Sequence, residues 1–164
     1  MRNITYLSLG SNLGDRAGNL RAAIEKLSGF GKIVAVSSFY ETEPVELTNQ
    51  PWFVNCAVAL ETEQVPEAFL GELLALEQSM GRRRTQKKGP RTIDIDILLF
   101  GDAIIETAGL SIPHPAMHQR RFVLVPMAEI APEQRHPILK RSMRELLDAL
   151  PPGAAVRQIL SSEG

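Results

Sequence analysis

One cysteine in 164 residues leaves no partner for an intrachain disulfide, which fits a reducing compartment. Cys56 sits in an apolar, strand-like run, so its expected role is a buried structural thiol and not a nucleophile. Charge of one sign is also lacking. A net charge of −1 argues against a protein that binds nucleic acid over its whole surface. No run approaches the roughly 20 apolar residues of a membrane span, and Met1 to Gly10 has no signal-peptide core. A cytoplasmic protein without membrane contact is the expectation. Three histidines without a cysteine cluster beside them are not read as a zinc site. No Ser-His-Asp arrangement can be argued from spacing. Leu9–Gly14 matches neither common glycine-rich phosphate loop. It reads as a tight turn, with Gly10 where another backbone or a ligand comes close. Repeats and low-complexity linkers are missing, and 44% apolar with 23% charged residues is ordinary for a globular chain. One domain over residues 1–164 is expected.

The patterns that are present outline six main elements. Asn3 to Leu9 reads as a strand, and Asp15 as the N-cap of a helix over 16–28 with Leu20, Ala23, Ile24 and Leu27 at helical spacing. Gly29 and Gly31 close it. Ile33 to Tyr40 predicts a second strand and Trp52 to Leu60 a third, with a proline-containing loop between them. Pro66 opens a second helix. Gly81 to Pro90 is a basic loop, and Thr92 to Phe100 is the fourth strand. The order β-α-β-β-α-β predicts an α+β, ferredoxin-like antiparallel sheet with helices on one face. A helical tail follows, over 120–130 and 142–150.

Chemistry concentrates at Thr92-Ile93-Asp94-Ile95-Asp96-Ile97. Strand alternation sends Ile93, Ile95, Ile97 and Leu99 to one face, and Asp94 and Asp96 to the other, with Leu98 and Phe100 continuing the aspartates' face. Same-face residues two apart are about 6.5–7 Å apart at the backbone. Two carboxylates at that spacing can converge on a metal pair about 3.5–4 Å across. Two anions this close on an apolar strand call for a compensating cation, and oxygen ligands near phosphates suit Mg²⁺. An acidic alternation is common on exposed sheet faces, and that is the competing reading. The neighbouring loop carries Arg82, Arg83, Arg84, Lys87, Lys88 and Arg91: a solvated charge run, a nucleic-acid patch, or a clamp for an anionic substrate. Phe53 and Asn55 share a strand face; on the residues alone, ordinary core packing is the preferred reading. His114, between two prolines, and Arg120 make either a rigid surface loop or a second phosphate clamp.

Taken together, these motifs resemble the 6-hydroxymethyl-7,8-dihydropterin pyrophosphokinase family of folate biosynthesis. The landmarks are Leu9-Gly10-Ser11-Asn12-Leu13, Ser38-Phe39-Tyr40-Glu41-Thr42, Gln50-Pro51-Trp52-Phe53-Val54-Asn55, Gly81-Arg82-Arg83-Arg84, Lys88-Gly89-Pro90-Arg91-Thr92-Ile93-Asp94-Ile95-Asp96, Pro113-His114-Pro115 and Arg120-Arg121-Phe122. The resemblance implies transfer of the terminal pyrophosphate of ATP to the pterin hydroxymethyl group, with AMP leaving. It implies that Asp94 and Asp96 bind two Mg²⁺ ions, that Asp94 also belongs to the pterin site, and that Arg82 and Arg91 stabilise the transferring group. ATP would further be met by Glu77, Arg84, His114 and Arg120. The pterin would lie between Phe53 and Phe122, with Asn55, Thr42 and the backbone near Val45 on its polar edge and Gly10 lining the pocket.

The chain departs from some members at Lys88 and Pro115, where they carry aromatics, and at Gly109, where they carry a basic residue. The loop between Arg84 and Gly89 is one residue shorter than in some members. The implied partners are ATP and the reduced pterin, with no nucleic acid, and the chain is expected to be a monomer. Two other readings stay open: a different two-metal nucleotidyl-transfer enzyme, and a non-catalytic ferredoxin-like domain that binds a small molecule.

Overall fold

Strand β1 (Asn3–Ser11) forms a ladder on both edges, which places it inside the sheet. The computed structural model describes residues 2–42, 52–81, 92–153 and 155–159. On one side β1 pairs antiparallel with β4 (Phe53–Thr62), and on the other with β5 (Asp94–Phe100). β2 (Lys32–Val36) and β3 (Tyr40–Thr42) both pair with β4, and β8 (Val156–Gln158) extends the sheet beyond β3. The order β5-β1-β4-β3-β8, with β2 also on β4, is antiparallel throughout. This mixed α+β architecture is compatible with the ferredoxin-like expectation.

Helix α1 (Arg16–Leu27) starts where expected: the Asp15 carboxylate accepts from the Gly18 amide at 3.1 Å, satisfying an otherwise orphaned donor. α2 (Pro66–Ser79) opens on proline, whose missing N–H costs nothing in a first turn. Both helices cover one sheet face, burying Leu20, Ala23, Leu27, Phe69 and Leu73 against Leu7, Leu9, Cys56, Val58, Ile95 and Ile97. Phe69 meets Phe100 edge-on at 6.0 Å and Phe30 at 6.5 Å. Truncating such a ring to alanine typically costs about 3–5 kcal/mol. Burial holds the Cys56 thiol well above its ordinary pKa, so it stays protonated, as a structural thiol should.

The tail covers the opposite face. α3 (Arg121–Ile130) and α4 (Met143–Asp148) bury Val123, Leu124, Met127, Met143 and Leu146 against Ala57, Leu98 and Leu99. A capping box between Ser142 and Glu145 opens α4, which ends at Asp148, two residues short of the expected span.

Three sequence expectations need correction. The strand expected over 33–40 is broken. The Ser37 hydroxyl accepts from the Ala57 amide at 2.8 Å, taking the place of a ladder carbonyl, and the Ser38 amide turns to the Glu129 carboxylate at 3.0 Å. Leu99 and Phe100 are exchanged between faces. The β1 ladder shifts register between Tyr6, opposite Leu99, and Leu7, opposite Ile97, so Leu98 is an extra residue and alternation inverts beyond it. Leu99 therefore packs under the tail and Phe100 under α1 and α2. Strand β8 and the short hairpin of β6 (Ile105–Glu106) and β7 (Ser111–Ile112) were not expected.

Candidate active site

Register brings the polar residues of three strands to one end of the tail-side face. Gly10 stands opposite Asn55 across one ladder and Asp94 across the other, and Ser8 stands opposite Asp96. Tyr40 faces Asn55 and Thr42 faces Phe53 on the next strand. The Thr42 hydroxyl donates to Asn55 Oδ1 at 2.6 Å, and Asn55 Nδ2 reaches the Leu9 carbonyl at 3.4 Å. Both side chains are buried, so the amide is fixed with its remaining capacity set by the hydroxyl. Gly10 makes the arrangement possible: a Cβ there would stand 2.6 Å from Asn55 Nδ2 and 3.5 Å from the Phe53 ring.

Asp94 and Asp96 lie on this face as alternation predicts, both half-buried. The residue between them is held from behind. Glu77, 1% exposed near the end of α2, accepts the Ile95 amide at 2.7 Å. A buried carboxylate that captures a backbone N–H fixes the strand from which both aspartates project. Two carboxylates on one rigid face, in an oxygen-donor setting, fit a hard divalent cation. Among the described residues no group of three or more His, Cys, Asp or Glu side chains gathers around one point.

His114 joins the aspartates from the far side of β5. Its amide donates to the Leu98 carbonyl at 3.0 Å, and its Nδ1 accepts from the Ala116 amide at 3.1 Å. The neutral ring therefore carries its proton on Nε2. Burial holds the imidazole below its ordinary pKa, the Arg120 guanidinium pushes the same way, and Asp94 opposes them. Arg120 lies over the Phe122 ring, 5.6 Å from its centroid.

Two hollows flank these groups. A cavity of about 530 Å³ lies along the outer edge of β5, lined by Leu70, Leu74, Ile95, Asp96, Ile97 and His114 among others. Gly109 and Pro115 are on its wall. A smaller one, about 290 Å³, includes Thr42, Arg120, Phe122 and Val156. Glu77 lines neither; it stands behind the first as a strand anchor. Val45, Arg82, Arg84 and Arg91 lie outside the described residues. Sequence reasoning missed Leu70, Leu74 and Ile97 as cavity walls. The available signal was Leu74, an exposed leucine one helical turn from Leu70.

The family model described as 7,8-dihydro-6-hydroxymethylpterin-pyrophosphokinase matches residues 6–132. The 2-amino-4-hydroxy-6-hydroxymethyldihydropteridine pyrophosphokinase of Methylorubrum extorquens is 43% identical over 154 residues, 93% of this chain and 96% of that protein. The folic acid synthesis protein fol1 of Schizosaccharomyces pombe is 40% identical over 151 residues, 90% of this chain but only 20% of that longer protein. In fold, the chain resembles the crystal structure of Plasmodium falciparum HPPK-DHPS, with a TM-score of 0.72 at 19% identity, over 90% of this chain and 45% of that one. The matched span of 6–132 holds the aspartate pair, the Thr42–Asn55 bond and the His114 turn, and with it the chain belongs to the 7,8-dihydro-6-hydroxymethylpterin-pyrophosphokinase family.

Proposed function

We propose that this chain carries out its family's reaction, transfer of pyrophosphate from ATP to the hydroxymethyl group of 6-hydroxymethyl-7,8-dihydropterin in folate biosynthesis, at the end of the sheet where Asp94, Asp96, Asn55 and His114 converge. The observation that carries this reading is the shared register position of Gly10, Asn55 and Asp94 across three adjacent strands. It sets a side-chain amide for a heterocycle's edge and a carboxylate on the two strands that flank β1.

Each group then has a task. Asp94 and Asp96 would hold two Mg²⁺ ions, with phosphate oxygens of the nucleotide as further ligands. The ions, when bound, neutralise phosphate charge and favour ionisation of the attacking hydroxyl. The cavity beside β5 takes the nucleotide base: Leu70, Leu74 and Ile97 give it apolar walls for a flat ring. His114 donates Nε2–H to a phosphate oxygen, a role that needs the neutral tautomer its turn enforces. Arg120 adds a fixed positive charge, braced over Phe122. Arg82, Arg84 and Arg91 stabilise the transferring group as the resemblance implies. The pterin lies against Phe53 and Phe122, its polar edge on Asn55 and Thr42, with Gly10 leaving room and the backbone near Val45 adding contacts. Glu77 serves the nucleotide indirectly, by holding Ile95. The chain works as one domain over residues 1–164, as a monomer in the cytoplasm; the lone buried Cys56 fits that compartment.

The test is mass-spectrometric product analysis with ATP, Mg²⁺ and the reduced pterin. AMP and a pterin diphosphate in equal amounts are expected. Released inorganic pyrophosphate would transfer the site to the nucleotidyl-transfer reading. Tight binding of both substrates without product would favour a non-catalytic domain.

A further inference from the structure

Neither the reaction nor the candidate site explains why β8 joins the sheet. β8 adds to the open edge of β3, with Val156 opposite Thr42, Arg157 opposite Glu41 and Gln158 opposite Tyr40. The strand is short and polar, yet it is fastened by more than its ladder. The Ile159 amide donates to the Phe39 carbonyl at 2.8 Å, and Gln158 Nε2 to Ser38 Oγ at 3.2 Å. Arg157 grips Glu41 with two nitrogens, Nε at 3.0 Å and Nη2 alongside, and its guanidinium lies over the Trp52 ring at 5.6 Å.

Glu41 is the hub of this network. Its side chain is only 15% exposed, and its second oxygen accepts from Arg16 Nη1 at 2.9 Å. The same Arg16 nitrogen reaches the Trp52 carbonyl at 2.8 Å. The two arginines hold the Glu41 carboxyl below the usual carboxylate range although burial opposes them, Arg157 contributing most. Glu41 precedes Thr42, and Trp52 precedes Phe53. The charged network thus ties together the ends of the two strands that carry the Thr42–Asn55 hydrogen bond and the Phe53 ring. Val156 and Thr42 also line one hollow with Phe122.

We propose that Arg157 is a positioning residue for pterin recognition: through the Arg157–Glu41–Arg16 chain it holds the ends of β3 and β4 in register, so that Thr42 keeps Asn55 oriented toward the pterin edge. This rests on the reading of Thr42, Asn55 and Phe53 as the pterin site. The device acts on pterin more than on nucleotide, because β1 separates the β4 end that it holds from the aspartates and the cavity along β5.

The test compares wild type with Arg157→Gln, Glu41→Gln, the double variant and Arg157→Lys. Calorimetry measures 6-hydroxymethylpterin binding in the presence of Mg²⁺ and a non-hydrolysable ATP analogue, and binding of the analogue alone. Arg157 is 72% exposed, so its replacement leaves the core untouched. Arg157→Gln should weaken pterin binding about fivefold, the scale on which a partly exposed two-pronged ion pair acts. Nucleotide binding should stay within twofold, Arg157→Lys should recover part of the loss, and the double variant should be no worse than Glu41→Gln alone. Pterin affinity within twofold of wild type in Arg157→Gln would overturn the proposal, as would equal losses for pterin and nucleotide. Wild type that binds no pterin would overturn the pterin site itself, and this inference with it.

Discussion

The side-chain amide of Asn55 occupies the space that a Cβ on Gly10 would fill, with Nδ2 only 2.6 Å from that position. The obstacle is the tip of a side chain, so a methyl group there displaces the amide and leaves the backbone in place. The displaced amide gives up the Thr42 hydroxyl at 2.6 Å. Gly10→Ala should therefore leave the fold intact and weaken pterin binding about tenfold, near the cost of one buried hydrogen bond left unmade. Calorimetry with 6-hydroxymethylpterin reads this; an unchanged affinity would mean that Asn55 does not meet the pterin.

Asp96 shares its face with Asp94, and Ile95 between them is locked by Glu77. Asp96→Asn keeps the shape and removes a charge. Turnover should fall by about 10² or more, since one site of cation and phosphate organisation is lost from the transition state. Circular dichroism should stay unchanged. Raising Mg²⁺ should restore part of the rate if the loss is one of metal affinity. Normal turnover at ordinary Mg²⁺ would remove Asp96 from the site.

Local rules made much of this legible. Asp15 and Pro66 announced their helices, and period-two alternation placed Asp94 and Asp96 on one face. What stayed hidden depends on partners distant in sequence. The break after Val36 needs Glu129, 91 residues beyond Ser38, to receive the turned-out amide. The inversion at Leu98 needs the register of β1, which the residues of β5 do not contain. Glu77 matched a position beside the nucleotide, but its anchoring of Ile95 shows only when α2 packs on β5. β8 is three residues with little strand character, and it forms because Glu41, 116 residues earlier, awaits Arg157. The residues of the site could be read singly; the ladder that brings Gly10, Asn55 and Asp94 together could not.

Glu77→Ala would leave the Ile95 amide buried without its acceptor. A stranded buried donor costs about 1–3 kcal/mol, which urea unfolding should read as a lower midpoint at unchanged slope. The start of β5 should loosen in hydrogen exchange, and ATP affinity should fall more than pterin affinity, because Ile95 lines the nucleotide-side cavity. Stability equal to wild type would mean that another acceptor replaces the carboxylate.

Stability should also fall on mild acidification. His114 and His136 both lie below their ordinary pKa in the folded protein, chiefly through burial, with His118 adding to the effect at His136. The geometry agrees: Nδ1 of His114 accepts the Ala116 amide, and Nδ1 of His136 accepts the amides of Ile138 and Leu139 at 3.2 and 3.1 Å. Protonation at Nδ1 breaks these bonds. The unfolded chain takes up its histidine protons near pH 6.5, the folded protein only at lower pH. Between those values the unfolded state holds more protons, so stability rises with pH; it is complete above about 6.5 and lost as pH falls through the folded values. Glu41, held below the carboxylate range, contributes with the same sign but only in stronger acid. The urea midpoint should therefore be lower at pH 5.5 than at pH 7.5. In His136→Asn, whose amide oxygen can still accept a backbone N–H without titrating, the decline should be shallower. Equal midpoints for wild type at the two pH values would show that neither imidazole is held neutral by its turn.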